Sequence, residues 1–142
     1  MTQHGNAQSW APPPPAGTVE VGRHAPGVAI VSIDGEHDIG TQTVIARALE
    51  HASADSSVIV DLSRCEFFDS TVISELIKTS LVLEAQAEQL VLVIPPARAP
   101  SMRIAELSGL AQIVGIDNSL EGALARLQAA KATRAPATEV HS

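Results

Sequence analysis

Two short stretches, "SVIVDL" at 57–62 and "LVLVI" at 90–94, hold almost nothing polar. A strand with one wet face alternates apolar and polar residues, whereas a strand buried on both faces reads as a nearly continuous apolar run. Strands of the second kind belong to parallel sheets, and parallel neighbours need a crossover, usually a helix, to connect them. The segments between these runs supply such helices. Val44, Ile45, Ala48 and Leu49 recur at helical spacing from about Thr41, and Val72, Ile73, Leu76 and Ile77 do so in a helix from near Ser70 to about Ala87. A third helix is expected from Arg98 to Ser108, stopped by Gly109, and a fourth carries Leu120, Ala123, Leu124 and Leu127. "TVEV" and "VAIVSI", joined by the turn signal "GRHAPG", predict an opening hairpin, and "QIVGI" predicts a short late strand. The sum is an α/β domain: a mixed, mostly parallel sheet of about five strands packed against about four helices.

The domain is expected to fill 18–128. Residues 1–17 turn Pro-rich in "APPPPAG" and hold too little apolar surface to build a core, so a disordered tail is expected there, although a proline-rich docking peptide is the functional alternative. Residues 129–142, "AAKATRAPATEVHS", are expected to form a second, flexible tail. No internal repeat is evident.

Charge and composition exclude several classes of function. The chain of 142 residues carries a formal net charge of −7, which argues against unassisted binding to DNA, RNA or anionic membrane. Trp10, Phe67 and Phe68 are the only aromatic residues, too few for a base-stacking platform. Cys65 is the only cysteine, which rules out an internal disulfide and any multi-cysteine zinc site. "MTQHGNAQSW" has neither a basic start nor an apolar run, and "LVLVIPPA" is far too short to span a bilayer, so a cytoplasmic protein is expected.

The residues able to carry chemistry gather in "FFDSTVISELI", 67–77. Asp69 and Ser70 are both good N-cap residues, and capping is the plain structural role for either. A serine nucleophile would need a base and an oxyanion hole. Neither "GxSxG" nor "SxxK" surrounds Ser70, and His37 or His51 could serve only if the fold brought it near. "DGEHDIG", 34–40, gathers three acids and a histidine and could in principle hold a divalent cation. Neighbours in an extended segment point to opposite sides, however, so a solvated loop is the simpler reading. His37 could titrate near neutral pH or simply pack. Cys65 has Arg64 beside it but also Glu66 and Asp69, surroundings that do not favour a thiolate. No phosphate-binding glycine loop is present. No metal and no cofactor is expected, and the chain is not expected to be an enzyme.

Three stretches, in this order and spacing, resemble the STAS domain family, and specifically the small bacterial anti-sigma factor antagonists. They are "VAIVSIDGEHDIG", "VIVDLSRCEFFDSTV" and "LVLVIPPARAPSMRIAELSGLAQIVGIDNSLEGAL", and the resemblance covers about Thr18 to Leu127. It implies a flattened α/β domain that is phosphorylated on a serine by an anti-sigma factor that is also a serine kinase. The unphosphorylated antagonist binds that kinase and releases a sigma factor. Ser70 matches the phosphorylated serine, with Thr71 the second choice. Asp38, Asp69, Ser70, Thr71 and Val72 match the docking surface. Two positions depart from the family pattern. Val72 stands where a glycine is usual, and His37 replaces an aliphatic residue. The resemblance implies no direct nucleic-acid or membrane partner and a monomer or weak dimer. The competing reading is a STAS module that is not phosphorylated, acting as a scaffold or as a sensor of a small ligand or nucleotide.

Neither end segment holds periodic apolar residues. A chain trimmed to Thr18–Lys131 is therefore expected to melt within a few degrees of the full chain by calorimetry, and a large loss of stability would show that an end segment packs on the core.

Overall fold

The computed structural model describes residues 17–25, 27–37 and 39–140. Six strands form one sheet: β1 (Gly17–Ala25), β2 (Val28–His37), β3 (Ser57–Asp61), β4 (Cys65–Phe68), β5 (Leu90–Val93) and β6 (Gly115–Asp117). Four helices connect or cover them: α1 (Gln42–Ala52), α2 (Ser70–Ala85), α3 (Ala99–Leu107) and α4 (Leu120–Val140). The order across the sheet is β1-β2-β3-β5-β6, with β4 pairing to β2 beyond the end of β3. Only β1 runs antiparallel to its neighbour; the β2–β3, β2–β4, β3–β5 and β5–β6 pairs are parallel.

Burial on both faces accounts for the apolar runs. In β3, Val58 and Val60 face a core shared with α1, α2 and α3, while Ile59 faces a second core shared with α4. β5 divides in the same way, Leu90 and Leu92 to the first core and Val91 and Val93 to the second. Ile45 and Leu49 of α1, Leu76 and Leu83 of α2 and Ala105 of α3 close the larger core. Ala123 and Leu127 of α4 close the smaller one. A fully buried Leu, Ile or Val side chain contributes about 1.5–3 kcal/mol, so this two-sided arrangement is the main source of stability.

The expected elements are present, with three differences. The sheet has six strands where about five were expected, because "CEFF" pairs with the end of β2 as β4. Its pairing is short and contains a register shift between Gly35 and Glu36, which erases any period-two signal. β1 also extends into "GRHAPG" as far as Ala25, and Gly27, at φ +83°, lies at the reversal just before β2. Finally, α4 continues to Val140, past Ala129, through the helix-favouring run "AAKATRA". Lys131 Nζ donates to the Gly27 carbonyl at 3.4 Å and ties this helix to the β1–β2 turn.

Parallel pairing has one consequence for function. The C-terminal ends of β2, β3, β4, β5 and β6 all lie at the same edge of the sheet, the edge where α/β folds form their sites. β4 delivers the chain to that edge at Phe68, and α2 starts two residues later.

Candidate functional site at the start of helix α2

Phe68 is buried in the larger core and packs at the end of β4, opposite His37 of β2. Val72 and Leu76 are completely buried in the same core. These anchors lie on either side of the helix start. Phe68 precedes the cap and Ile73 lies in the first turn, and both belong to one core, as in a hydrophobic staple. The entry angle of the chain is set by that packing, and the three polar residues between the anchors are left at the surface.

Asp69 is the N-cap, with extended backbone at φ −107° and ψ −171°. Its Oδ1 accepts from the Thr71 N–H at 3.0 Å, the Val72 N–H at 3.4 Å and the Thr71 hydroxyl at 2.5 Å. The Thr71 hydroxyl, together with the two backbone N–H groups, holds the Asp69 carboxyl below its ordinary range. Ser70 occupies the first helical position and is exposed, and its hydroxyl bonds to no described residue. Of the two hydroxyls, that of Ser70 is free among the described residues and that of Thr71 is committed. The capping role open to either Asp69 or Ser70 in the sequence falls to Asp69.

The other sequence candidates lie as follows. Val72, expected on the docking surface, has 0% exposure and points into the core. Its branched side chain fills the space under the helix start and cannot touch a partner. Asp38 lies outside the described residues. His37 is buried, with Nε2 2.8 Å from the Asp34 carbonyl oxygen and Nδ1 3.1 Å from Thr41 Oγ1. A carbonyl can only accept, so Nε2 donates to it, and Nδ1 is hydrogen-bonded with the Thr41 hydroxyl. Both nitrogens are thereby engaged, and His37 packs and braces the end of β2. His51 is in the last turn of α1, which returns the chain to the N-terminal edge of the sheet, away from Ser70. No general base for Ser70 is present among these histidines.

Cys65 is fully buried, and burial pushes its thiol up to about 11, although the Phe67 carbonyl accepts its S–H at 3.6 Å. It is inert at neutral pH. The described acids of "DGEHDIG" diverge: Asp34 pairs with Arg64 Nη2 at 2.7 Å and Glu36 is exposed, while His37 turns inward. Among the described residues no group of three His, Cys, Asp or Glu could hold a metal ion.

Sequence reasoning missed two residues near the site. Glu75, one turn into α2, is buried, and its Oε2 accepts from Gln42 Nε2 at 2.9 Å and lies 3.5 Å from Lys78 Nζ. It bridges α1 to α2. Its position between Val72 and Leu76 on the core-facing side was the available signal. Phe67 is 47% exposed beside the cap and offers a large apolar contact at the surface.

The division of labour between Asp69 and Ser70 is measurable. Asp69→Ala should cost about 1 kcal/mol of stability at neutral pH, within the 0.5–2 kcal/mol range of lost caps, and Ser70→Ala much less. The sign of the pH dependence follows from the lowered carboxyl of Asp69. Its contribution is complete above the unfolded carboxylate range, near about pH 3.9, and disappears as the pH falls through the folded value. Denaturant melts of wild type and Asp69→Ala should therefore converge in acid. Equal costs for Asp69→Ala and Ser70→Ala would contradict the assignment.

Comparison with known proteins agrees with this fold. The STAS domain family matches residues 22–123. Among solved structures, an anti-sigma factor antagonist from Mycobacterium paratuberculosis is 28% identical with a TM-score of 0.70, over 79% of this chain and 94% of that one. The anti-sigma factor antagonist SpoIIAA in its unphosphorylated form is 22% identical with a TM-score of 0.62, over 78% of this chain and 98% of its own. The phosphorylated form of SpoIIAA, a Bacillus cell fate determinant, is 22% identical with a TM-score of 0.60, over 77% and 98%; at this identity both forms share the fold. A search of curated proteins found no match. A sheet of this topology, with a family match across nearly all of it, establishes that the chain belongs to the STAS domain family.

Proposed function

We propose that this chain is an anti-sigma factor antagonist switched by phosphorylation of Ser70. In the unphosphorylated state it binds an anti-sigma factor that is also a serine kinase, and this binding releases a sigma factor. The kinase then transfers the γ-phosphoryl group of ATP to Ser70 Oγ, and the antagonist lets go. The chain acts as phosphoryl acceptor and supplies no catalysis. Its place of action is the cytoplasm, and it works as a monomer or weak dimer.

The observation that carries this reading is the exposed, uncommitted Ser70 hydroxyl beside a cap supplied by Asp69. A phosphoserine adds about −1.5 to −2 charge and three acceptor oxygens at neutral pH. At the first position of α2, the positive end of the helix dipole favours that charge, so the fold tolerates it. The cap survives as well, because Asp69 holds it. What changes is the surface: Asp69, Ser70 and Thr71, with exposed Phe67, form the face offered to the partner, and Asp38 is proposed as a further docking residue on the family resemblance alone. A dianion placed there repels an acidic contact and desolvates poorly against an apolar one. Val72 takes part only by fixing the helix start from below.

Incubation with candidate anti-sigma kinases and ATP should add a single phosphate, mapped by mass spectrometry to Ser70. Ser70→Asp should keep the fold but weaken binding to the same partner by roughly tenfold or more, about 1.4 kcal/mol. Wild-type affinity in Ser70→Asp, or a phosphate on Thr71 or nowhere, would contradict the reading.

A further inference from the structure

Residues 1–16 lie outside the described residues, but the place where they join the fold is fixed. Gly17 pairs with Gly35 of β2, and a side-chain carbon at Gly17 would collide with the His37 ring and lie 2.6 Å from the Glu36 carbonyl oxygen. Only glycine lets the chain pass this close to the end of β2. Because β1 is antiparallel to β2, the segment before Gly17 leaves the fold at the edge where the parallel strands end.

An apolar groove of about 720 Å³ opens at the same edge. Ile94, Pro95, Pro96, Ala99 and Met102 line it, between the end of β5 and α3. The strand registers locate it. Ser32 of β2 is level with Asp61 of β3, and Asp61 with Val93 of β5. Gly35 stands three residues beyond Ser32 and Pro95 two residues beyond Val93, so Gly17 and Pro95 are nearly level. Three strand spacings of about 4.8 Å set them about 15 Å apart. Arg103 and Glu106 flank the groove, both exposed, and neither side chain is paired with a described residue.

We propose that Trp10 seats in this groove, tethered by the run Pro12–Pro15 that links it to Gly17. Seven residues separate Trp10 from Gly17, and at about 3.1 Å per residue a proline-rich spacer reaches about 22 Å, enough for that separation. Such a spacer has little freedom to lose on docking. Proline rings and the Met102 thioether suit an indole face, and the Arg103 guanidinium stacks on its other side. The Glu106 carboxylate accepts from the indole N–H. Two other grooves fit less well. One, lined by Glu84, Gln89 and Arg126, opens where β5 begins, about 25 Å from Gly17 by the same registers and beyond the reach of Trp10. The other, between α1 and α2, is lined by Arg47, Glu50, Glu75 and Lys78, a poor match for an indole. With Trp10 seated, the prolines span β2 and β4 beside exposed Phe67. The contact does not depend on the Ser70 switch and, being at the surface, leaves the melting temperature nearly unchanged.

Trp10 is the only tryptophan and the chain holds no tyrosine, so the fluorescence of the full chain reports this one side chain. Relative to a peptide of residues 1–17, the emission of the native protein should be shifted to the blue. Its quenching by acrylamide should be about twofold or more weaker, as docking of at least about half the molecules requires. Both signals should be independent of protein concentration. Deletion of Ala11–Pro15 leaves Trp10 two residues from Gly17, a reach of about 6 Å that falls short of the groove, so Trp10 should then read as in the peptide. Ala99→Glu should release it too, because it sets a charge into the groove at the first position of α3, where an acid suits the helix. Circular dichroism should show both variants folded. Peptide-like emission and quenching in the native chain overturn the inference. A blue shift that survives both the deletion and Ala99→Glu overturns it by placing Trp10 elsewhere, and one that grows with concentration does so by placing Trp10 on a second copy.

Discussion

The hydrogen bonds from Thr71 and Val72 to the Asp69 carboxylate set the chemistry of this domain. A helix start has backbone donors with no partner inside the helix, and some group must satisfy them. When the residue before the helix does so, the next residue is released from structural duty. Ser70 is that residue. Its hydroxyl faces solvent at the positive end of a 16-residue helix, a place where added negative charge meets favourable partial charge.

The remainder of the fold holds that cap in place. Phe68 and Val72 are buried on either side of it, and β4, four residues long, is held against β2 at Glu36 and His37. His37 braces the end of β2 through Thr41 and Asp34, and Glu75 ties α2 to α1 through Gln42. These contacts are polar and local. They rest on a sheet whose central strands are buried on both sides, and that burial supplies the stability on which a site at the sheet edge relies.

Much of this was legible in the sequence because the strongest signals were long-wavelength ones. "VIVDL" and "LVLVI" announced two-sided burial, and the helical spacing after Ser70 announced a core-facing helix. Ser70 and Asp69 stood out as a cap and a free hydroxyl, but their roles depended on backbone angles that residue types do not encode. β4 was illegible because four residues with a register shift carry no period. Val72 was misplaced because departure from a family glycine says nothing about direction: at the third helical position its side chain turns inward. His37 and Glu75 were hidden for a related reason. Each is a polar residue whose partners, Asp34, Thr41, Gln42 and Lys78, become neighbours only through tertiary packing.

The central claim is that phosphate on Ser70 changes binding without disturbing the helix start. Chemical and thermal melts of the stoichiometrically Ser70-phosphorylated protein, set beside the unmodified one, test it most directly. The account predicts melting temperatures within about 3 °C of each other, equivalent to roughly 1 kcal/mol or less in a domain of this size. A phosphoprotein that loses the cooperative transition, or melts many degrees lower, would contradict it, because the Ser70 hydroxyl would then be part of what holds α2 in place.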